Sequence, residues 1–442
     1  MSGSDIAARL QHLWATPRSL WGSLATVHQY NVGLRYLATS IVLLMLGGIE
    51  TLLLRVQSMK PGARAPRRRQ LWGAGLRALA AYLQSLRWRL ICTCIQTLSA
   101  LVICGASFAG EGCVEVLVSN EASGDIAIVD PRSASVIAKV PVGKRPRGMA
   151  LSPDREQLFV ALSGSPVARP NADGTSLPPP DKRTDGIGVV DLTTRQLVRT
   201  ITGVSDPERV AVSSDGKRLF VASEDQGLVV MFDANSGALL ARTHVGAKAA
   251  GVDLNQGGLR VYATSKAENQ VTILDANSAA ALSHISVGLR PRSTSFSPDG
   301  LRAYVANEAI PGISVIDTAS LRVVRTIALP AGMSPVRIAV PPAGSPLYVS
   351  TGSGREILAI DTRSGRVTTR AVSGARPWDL AIRPDGTELY VSNGPSNDLS
   401  VFTLPKLELR KRVHTGENPW GVVCRDNWWT HEGLGAPASK SP

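Results

Sequence analysis

The sequence has few of the residues that carry most protein chemistry. Five cysteines, six histidines and 5% aromatic residues occur among 442 positions. So few cysteines exclude a disulfide-dense scaffold. No Cys-x-x-Cys-His haem attachment, P-loop, Gly-x-Ser-x-Gly element or metal-ligand spacing occurs. The sequence therefore predicts no cofactor, no metal site and no recognisable catalytic residue.

Acidic residues are scarce in the first quarter of the chain. The net charge is +13, but residues 1–110 hold twelve basic and two acidic residues, which leaves residues 111–442 close to neutral. A nearly neutral region without stripes of stacking aromatic residues argues against nucleic-acid binding. The hydrophobic content of 44% excludes a wholly disordered chain, and 41 Gly with 28 Pro favour a fold with many turns.

Two long apolar segments occupy the N-terminal region. The second, residues 90–109, follows many arginines and ends in Ser107-Phe108-Ala109, which is typical of a secretory signal cleaved after Ala109. An uncleaved anchor helix is the alternative. In both cases the arginines are expected to remain in the cytoplasm. The rest of the chain is therefore predicted to be periplasmic or secreted, or anchored in the inner membrane on its periplasmic side.

The first apolar segment, residues 36–54, resembles a known membrane helix. The strings GLRYLAT at 33–39 and LGGIETLLLRVQ at 46–57 are similar to the first transmembrane helix of cytochrome c oxidase subunit I. That family binds haem and copper through histidines on later helices, which this chain lacks. Residues 1–58 are therefore interpreted as a fused remnant or an over-extended start, and residues 59–109 as a basic region with the signal or anchor.

The remaining chain is built from one repeat. Two hydrophobic residues followed by Asp recur, mostly 42 residues apart, at Asp130, Asp191, Asp233, Asp275, Asp317 and Asp361, and a seventh copy has Thr403 instead. Short β-branched and aromatic segments precede the copies, often after an Asp-Gly turn, and two further strands follow. Four strands per repeat predict an all-β, seven-bladed β-propeller over residues 110–426, after a helical membrane or targeting region and before a flexible tail at 427–442.

The two ends of the repeat region are expected to complete one blade. The chain enters the repeat at a second strand near Val114 and leaves it with a first strand at residues 420–424. Cys113 and Cys424 stand at these ends. A disulfide between them would staple the ring in an oxidising compartment, and free buried thiols are the alternative.

The repeat resembles the YVTN family of bacterial β-propellers. The resemblance is carried by VGKRPRG at 142–148, ARPW at 375–378, SNGPSND at 392–398 and ENPWGVV at 417–423. More narrowly, the repeat is similar to propellers associated with PQQ-dependent alcohol catabolism. That resemblance implies a periplasmic oxidation system, with a quinoprotein dehydrogenase as a partner.

One face of the predicted propeller carries arginines and two tryptophans. The corner before each inner strand and the loop after each second strand are expected there, with a loop-like insertion at 163–186. Such a ring suits a small anion or a protein partner, while simple packing and solvation of these side chains are the alternatives. The candidate binding residues are Arg145, Arg147, Glu208, Arg209, Arg290, Arg292, Arg337, Arg376, Trp378 and Trp420.

The sequence thus favours an exported, non-catalytic propeller that binds a small anionic ligand or an unknown protein partner beside a quinoprotein system. An enzyme is less favoured, because no catalytic motif occurs. Two alternatives remain open. One is a propeller hydrolase of the lactonase type, which would need an acid-base set or a metal site in the funnel. The other is a membrane-anchored respiratory component, through the oxidase-like segment.

Overall fold

The computed structural model describes residues 113–166 and 177–426. The oxidase-like segment, the signal or anchor segment and the C-terminal tail lie outside the described residues. Within those two ranges no helix is long and apolar enough to cross a membrane. The predicted helical region in front of the propeller lies outside these ranges and stays a prediction.

The described strands form seven antiparallel sheets of four strands each, which confirms the seven-bladed propeller. The first sheet consists of β1 (Cys113–Asn120), β2 (Asp125–Asp130), β3 (Ser135–Pro141) and the last strand, β28 (Pro419–Asp426). The next three sheets are β4 (Pro146–Leu151), β5 (Gln157–Leu162), β6 (Gly186–Asp191) and β7 (Gln196–Ile201); β8 (Pro207–Val212), β9 (Arg218–Ser223), β10 (Leu228–Asp233) and β11 (Leu239–His244); and β12 (Ala249–Leu254), β13 (Arg260–Ser265), β14 (Gln270–Asp275) and β15 (Ala281–Ser286). The last three are β16 (Pro291–Phe296), β17 (Arg302–Asn307), β18 (Gly312–Asp317) and β19 (Arg322–Ala328); β20 (Arg337–Ala339), β21 (Leu347–Ser350), β22 (Glu356–Ile360) and β23 (Val367–Val372); and β24 (Pro377–Ile382), β25 (Glu388–Asn393), β26 (Asp398–Thr403) and β27 (Glu408–His414).

Each blade changes from a buried middle to an exposed outer edge. The second and third strands, such as β13 and β14, bury nearly all their side chains, because both faces pack against neighbouring blades. Outer strands such as β7 alternate exposed and half-buried side chains, as the two-residue period of a strand requires. Tyr262, Tyr348 and Tyr390 are among the largest fully buried side chains. The hydrophobic core therefore lies between the blades, and the inner strands remain free to line a channel.

The recurring aspartates close the turns before the outer strands. Asp275 Oδ1 accepts hydrogen bonds from the backbone N–H of Ser278 (2.9 Å) and of Asn277 (3.0 Å), and from the Ser278 hydroxyl (2.9 Å). These hydrogen bonds, the Ser278 N–H first, lower the pKa of Asp275. The repeated Asp therefore has a structural role, since it stabilises the turn before the outer strand.

The ring closes where β28 pairs with β1. In this pairing Cys424 is opposite Val116, and Cys113 is opposite Asp426. Cys424 is disulfide-bonded. The side chain of Cys113 lies outside the described residues, so the Cys113–Cys424 bond remains a prediction. Closure itself pairs the two ends of the repeat region and removes a free sheet edge.

The inner strands change geometry at one end of the channel, which we call the rim. Their pairing with the second strands is interrupted by register shifts near the start of β4, β8, β12, β16 and β24, and near Pro419 of β28. The residue before each of these strands has a left-handed backbone: Arg145, Asp206, Lys248, Arg290, Arg376 and Asn418. Such a residue costs about 1–2 kcal/mol, and a β-bulge redirects the side chains next to it. A left-handed residue and a register shift therefore occur together where six of the inner strands meet the rim.

Candidate active site at the channel rim

Two kinds of position supply the charged side chains of the rim. One is the second residue of an inner strand, and the other is the first residue after a second strand. The first kind includes Arg147, Glu208 and Arg292, and the second includes Glu121, Glu224, Lys266 and Glu308. These positions come from different blades, and the ring of blades brings them into one cluster of ion pairs.

Glu208 is the centre of this cluster. Its carboxylate lies 2.8 Å from Lys266 Nζ, 3.5 Å from Arg292 Nη1 and 3.5 Å from Arg147 Nη2, and its side chain is buried. Burial alone would raise the pKa of Glu208, but the charges of Lys266, Arg292 and Arg147 hold it well below its usual range. Glu208 is therefore ionised near neutral pH, and it orients three cations.

Two carboxylates of the cluster are closer to solvent. Glu224 lies 2.8 Å from Lys266 Nζ and 3.2 Å from Arg147 Nη2. Glu308 accepts a 2.7 Å hydrogen bond from Arg290 Nε and lies 3.6 Å from Arg292 Nε. Burial raises the pKa of Glu308, but Arg292 and then Arg290 bring it below its usual value. Both glutamates have the partial access that a proton acceptor needs.

Trp378 and Trp420 stack beside the cluster, with their ring centroids 6.3 Å apart and 25° between the planes. Arginine side chains cover both rings. Arg376 and Arg292 lie 4.5 and 5.3 Å from the Trp378 centroid, and Arg209 and Arg147 lie 5.1 and 5.8 Å from that of Trp420. Trp420 is buried and packs the rim, whereas Trp378 is half-exposed. Only Trp378 of this pair therefore offers an aromatic surface to a ligand.

Arg376 differs from Arg147, Lys266, Arg290 and Arg292. No carboxylate lies within 4.0 Å of its guanidinium in the described part of the chain, and its side chain is exposed. Partial loss of hydration lowers its pKa; the charge of Glu308 opposes this shift, and that of Arg292 adds to it. Arg147 Nε also has no hydrogen-bond partner among the described residues, but it is buried. Arg376 therefore offers donors that a ligand can reach.

The insertion after β5 is hydrogen-bonded to residues of this same rim. The buried carboxylate of Asp185 accepts hydrogen bonds from the backbone N–H of Gly164 (2.6 Å) and of Asp206 (2.8 Å). Lys144 Nζ also lies 3.0 Å from Asp181. The described ends of the insertion thus lie on the rim face, as predicted.

Arg209 and Arg337 lie deeper than the other residues of the predicted ring. Arg337 lies 3.1 Å from Asp253 and 3.3 Å from Asp379, and Arg209 lies 3.5 Å from Asp379. These four residues, which we call the floor, cross the channel below the rim. The bulged backbone gives consecutive residues of one strand different directions, so Glu208 joins the rim and Arg209 the floor.

Glycine at the equivalent position of other blades leaves room for the floor. A Cβ added to Gly148 would lie 2.7 Å from Arg209 Cα and 2.8 Å from the Glu208 carbonyl oxygen. A Cβ on Gly251 or Gly421 would meet the next inner strand at 2.6 or 2.7 Å. Neighbouring inner strands therefore approach each other closely at this position, because Gly148, Gly251 and Gly421 have no side chain.

The sequence predicted Arg145, Arg147, Glu208, Arg290, Arg292, Arg376, Trp378 and Trp420 on this face, and the structure brings them together there. It missed the residue that follows each second strand, above all Glu224, Lys266 and Glu308. Alignment of the repeats contained this signal, because the position is charged in several blades and small in others. Among the described residues no group of three or more His, Cys, Asp or Glu could hold a metal ion.

The fold and this rim define the chain as a seven-bladed β-propeller with a charged funnel. The sequence model of the family described as "Lactonase, 7-bladed beta-propeller" matches residues 242–415. Among curated proteins, none matches the sequence.

Several solved structures share the fold. The periplasmic gluconolactonase of Pseudomonas aeruginosa is 21% identical with a TM-score of 0.56, and the match covers 70% of this chain and 98% of that one. A protein described as a 6-phosphogluconolactonase from Bacteroides fragilis is 18% identical with a TM-score of 0.58, covering 71% and 98%. Hydrazine synthase of Kuenenia stuttgartiensis is 18% identical with a TM-score of 0.56, covering 66% and 93%.

These comparisons overturn the expectation of a non-catalytic binding protein. The family match supports the lactonase-type alternative instead, and it also favours an enzyme over the non-enzymatic role that the sequence suggested. The narrower YVTN, quinoprotein and oxidase resemblances receive no support from them. The absence of a catalytic motif in the sequence led to the expectation of a non-catalytic protein. Such a motif need not occur here, because the charged groups of the rim come from separate blades and have no fixed spacing in the sequence.

Proposed function

We propose that the protein hydrolyses a lactone at the rim, between Arg292, Glu308, Arg376 and Trp378. One observation carries the proposal. These four residues all lie within the segment that the lactonase family matches, and they include a rim cation, Arg376, without a carboxylate partner among the described residues. The Arg376 guanidinium lacks a hydrogen-bond acceptor. A cyclic ester supplies one, because its carbonyl oxygen and its ring oxygen both accept hydrogen bonds.

Each residue has a role that follows from its chemistry. Glu308 takes a proton from water as the water oxygen bonds to the lactone carbonyl carbon. Arg376 and Arg292 stabilise the negative charge that develops on the carbonyl oxygen. The bond between the acyl carbon and the ring oxygen then breaks, and the ring oxygen receives the proton from Glu308. The product is a hydroxy acid, which releases a proton to solvent.

Trp378 supplies an aromatic edge against which the lactone ring packs. Its faces are used by Trp420 and by the guanidinium groups of Arg292 and Arg376, so a lactone at this edge lies beside both cations. Two of the similar structures are named as lactonases that act on gluconolactone and on its 6-phosphate. A hydroxylated lactone of this size is therefore the substrate that we propose.

A periplasmic location is part of the proposal. It is supported by the signal-like segment at residues 90–109 and by the periplasmic location in the name of the Pseudomonas relative. Expression of the full chain followed by fractionation and N-terminal sequencing tests it. An N-terminus at Gly110 in the periplasmic fraction is expected, and an intact chain in the cytoplasm would contradict it.

The direct test is proton release from glucono-δ-lactone and 6-phosphoglucono-δ-lactone, measured against the uncatalysed rate. The protein is expected to accelerate hydrolysis of at least one of them. Glu308→Gln should lower kcat by about 10²–10⁴-fold, because it removes the proton acceptor. Arg376→Gln should lower kcat/KM by about 10²–10³-fold through weaker oxyanion stabilisation.

Glu156→Gln is the matched control, since Glu156 is an exposed carboxylate at the opposite end of the channel. It should leave the rate unchanged. Equal rates in wild type, Glu308→Gln and Arg376→Gln would mean that the rim does not catalyse the reaction. Failure of the folded wild type to exceed the uncatalysed rate with either lactone would refute the proposed activity.

A further inference from the structure

The polar ring of corner residues at the rim is interrupted at one blade. Six inner strands follow a left-handed residue that is charged or an asparagine, and β20 does not. The corner before β20 spans residues 329–336, whereas the corner before β16 spans only residues 287–290. No charged residue occurs in the segment 329–336, LPAGMSPV. The rim therefore has one sector, at β20, where the corner is longer and uncharged.

The proposed active site lies on both sides of this sector. β20 packs between β16 and β24. Arg292 of β16 and Trp378 of β24 nevertheless approach each other, with 5.3 Å from the guanidinium to the ring centroid. The side chains of the two flanking blades therefore meet on the channel side of β20. A substrate held between them has the uncharged corner on its outward side.

Two large apolar side chains are exposed next to this corner. Ile310 is 59% exposed and Leu289 is 43% exposed, and neither belongs to a hydrophobic cluster of the described residues. Comparison of the repeats shows that both are unusual. The third residue after a second strand is polar in the other six blades: Ser123, Ser165, Gln226, Glu268, Ser353 and Ser396. The second residue before an inner strand is Lys144, Ser205, Ala247, Ala375 or Glu417 where Leu289 stands in this blade.

Backbone hydrogen bonds join these side chains to the active site and to the uncharged corner. The N–H of Glu308 donates to the carbonyl of Arg290 at 3.0 Å, and the next N–H, of Ala309, donates to that of Leu289 at 3.2 Å. The N–H of Leu329 donates to the carbonyl of Pro311 at 3.0 Å. Exposed or half-exposed apolar residues from three segments thus form one surface beside Glu308, which we call the apolar lip: Leu289, Ala309, Ile310, Pro311, Pro330 and Ala331.

We propose that the protein also hydrolyses lactones that carry an alkyl chain, and that the apolar lip binds this chain. The inference rests on the proposed lactone hydrolysis and extends its substrate class. With the ring at the edge of Trp378, a chain on the carbon next to the ring oxygen passes Glu308 and lies on Ile310 and Leu289. The contact removes the chain and both side chains from water. Water splits the ester as before: the acyl carbon gains the hydroxyl, the ring oxygen gains the hydrogen, and a hydroxy acid results.

A protein partner is the less suitable occupant of the lip. A stable protein interface uses roughly 20–30 residues on each side. The lip has six apolar residues, and charged side chains such as Arg290 stand directly beside it. A surface of this size suits a short alkyl chain that is attached to a substrate.

Two lactones with the same six-membered ring test the proposal. δ-Valerolactone has no chain, and δ-decalactone has a pentyl chain next to the ring oxygen. For each, kcat/KM of the full chain is divided by the uncatalysed rate constant, which removes the difference in intrinsic reactivity. The corrected value should be about tenfold higher for δ-decalactone, because apolar burial strengthens its binding.

Three variants locate the chain. Ile310→Ser should lower the preference for δ-decalactone about fivefold and leave the hydrolysis of glucono-δ-lactone, which has no alkyl chain, unchanged. Ile310→Leu should keep the preference, because it keeps the apolar surface. Leu301→Ser is the matched control, since Leu301 belongs to the same blade, is 56% exposed and lies at the turn end. It should leave the preference unchanged.

The outcomes separate this proposal from the one on which it rests. Hydrolysis of glucono-δ-lactone with equal corrected values for the other two lactones would overturn the alkyl-chain site and leave the proposed function standing. Hydrolysis of no lactone would overturn both. A preference that survives Ile310→Ser, or that falls equally in Leu301→Ser, would show that the lip does not bind the chain. Sedimentation of wild type and Ile310→Ser would then show whether the lip binds a second copy of the chain instead.

Discussion

The two ends of the same seven inner strands differ in how far the repeats resemble each other. At the turn end the repeats are alike: a serine hydroxyl donates to the carboxylate of the Asp two residues later in Ser152–Asp154, Ser213–Asp215 and Ser297–Asp299. At the rim the corresponding positions are Arg147, Glu208, Ala250, Arg292, Val336, Trp378 and Trp420. Shared residues therefore build the scaffold, and the differences between repeats build the site.

The difference also appears in the backbone. The rim has register shifts and left-handed corner residues before six inner strands, and β20 lacks both. The turn end also has left-handed non-glycine residues, such as Ala134 and Arg195, beside glycines such as Gly216 and Gly300. What distinguishes the rim is that the left-handed residue is followed by a register shift in the inner strand, which redirects the side chains there.

The largest effect is expected where the rim cluster loses its central charge. Glu208→Gln leaves Lys266 and Arg292 with one fewer buried carboxylate, so the free energy of unfolding should fall by about 3–5 kcal/mol near neutral pH. Chemical denaturation monitored by circular dichroism measures this. A loss below about 1 kcal/mol would mean that the cluster contributes little to stability.

The pH dependence of this variant provides its control. The pKa of Glu208 is lowered in the folded state, so its contribution to stability is present above the unfolded value of about 4.5 and is lost as the pH falls below it. The difference in unfolding free energy between wild type and Glu208→Gln should therefore shrink between neutral pH and about pH 3. A constant difference would show that packing, rather than charge, is responsible.

An intermediate effect is expected from one methyl group placed at either end of the channel. Gly148→Ala puts a Cβ against the backbone of Glu208 and Arg209, and should lower the unfolding free energy by about 1–3 kcal/mol. Gly257→Ala at the turn end finds its nearest neighbour at 3.8 Å and should be close to neutral. Thermal melting of both variants measures the contrast, and equal melting temperatures would refute it.

The smallest effect is expected at a repeated turn. Asp275→Thr reproduces the residue that stands naturally at Thr403 in the seventh copy, and should cost about 1 kcal/mol or less, because solvent replaces the lost turn hydrogen bonds. Denaturant unfolding measures the cost. A loss as large as that of Glu208→Gln would remove the distinction between scaffold and site.

The fold could be predicted in detail because most repeats have the same turn residues and the same pattern of strand residues. The aspartates from Asp130 to Asp361 stand at the ends of third strands, and the Asp-Gly turns precede second strands. The seven copies of the repeat therefore predict the same four-stranded unit. The inner strands are less clear from the sequence, and β20 spans only Arg337–Ala339. Short inner strands without an apolar run depend on their neighbours rather than on local propensity.

The site was only partly predictable. Arginine and tryptophan after Pro at the corners are visible in the sequence, which is why Arg147, Arg292 and Trp378 were found. Their partners Glu224 and Glu308 were missed, because nothing in the local sequence shows which loop residue faces which corner. The role was predicted wrongly for the same reason, since residues from separate blades form no motif.

The sequence by itself determined the number of blades, the closure of the ring and the face on which the repeats diverge, because these follow from periodicity and turn chemistry. Only the tertiary structure decided that Arg209 and Arg337 form a floor while Arg376 stays without a carboxylate partner among the described residues. The physical reason is that a left-handed corner and a β-bulge set the direction of each side chain, and that ion pairs across the channel join residues far apart in the chain.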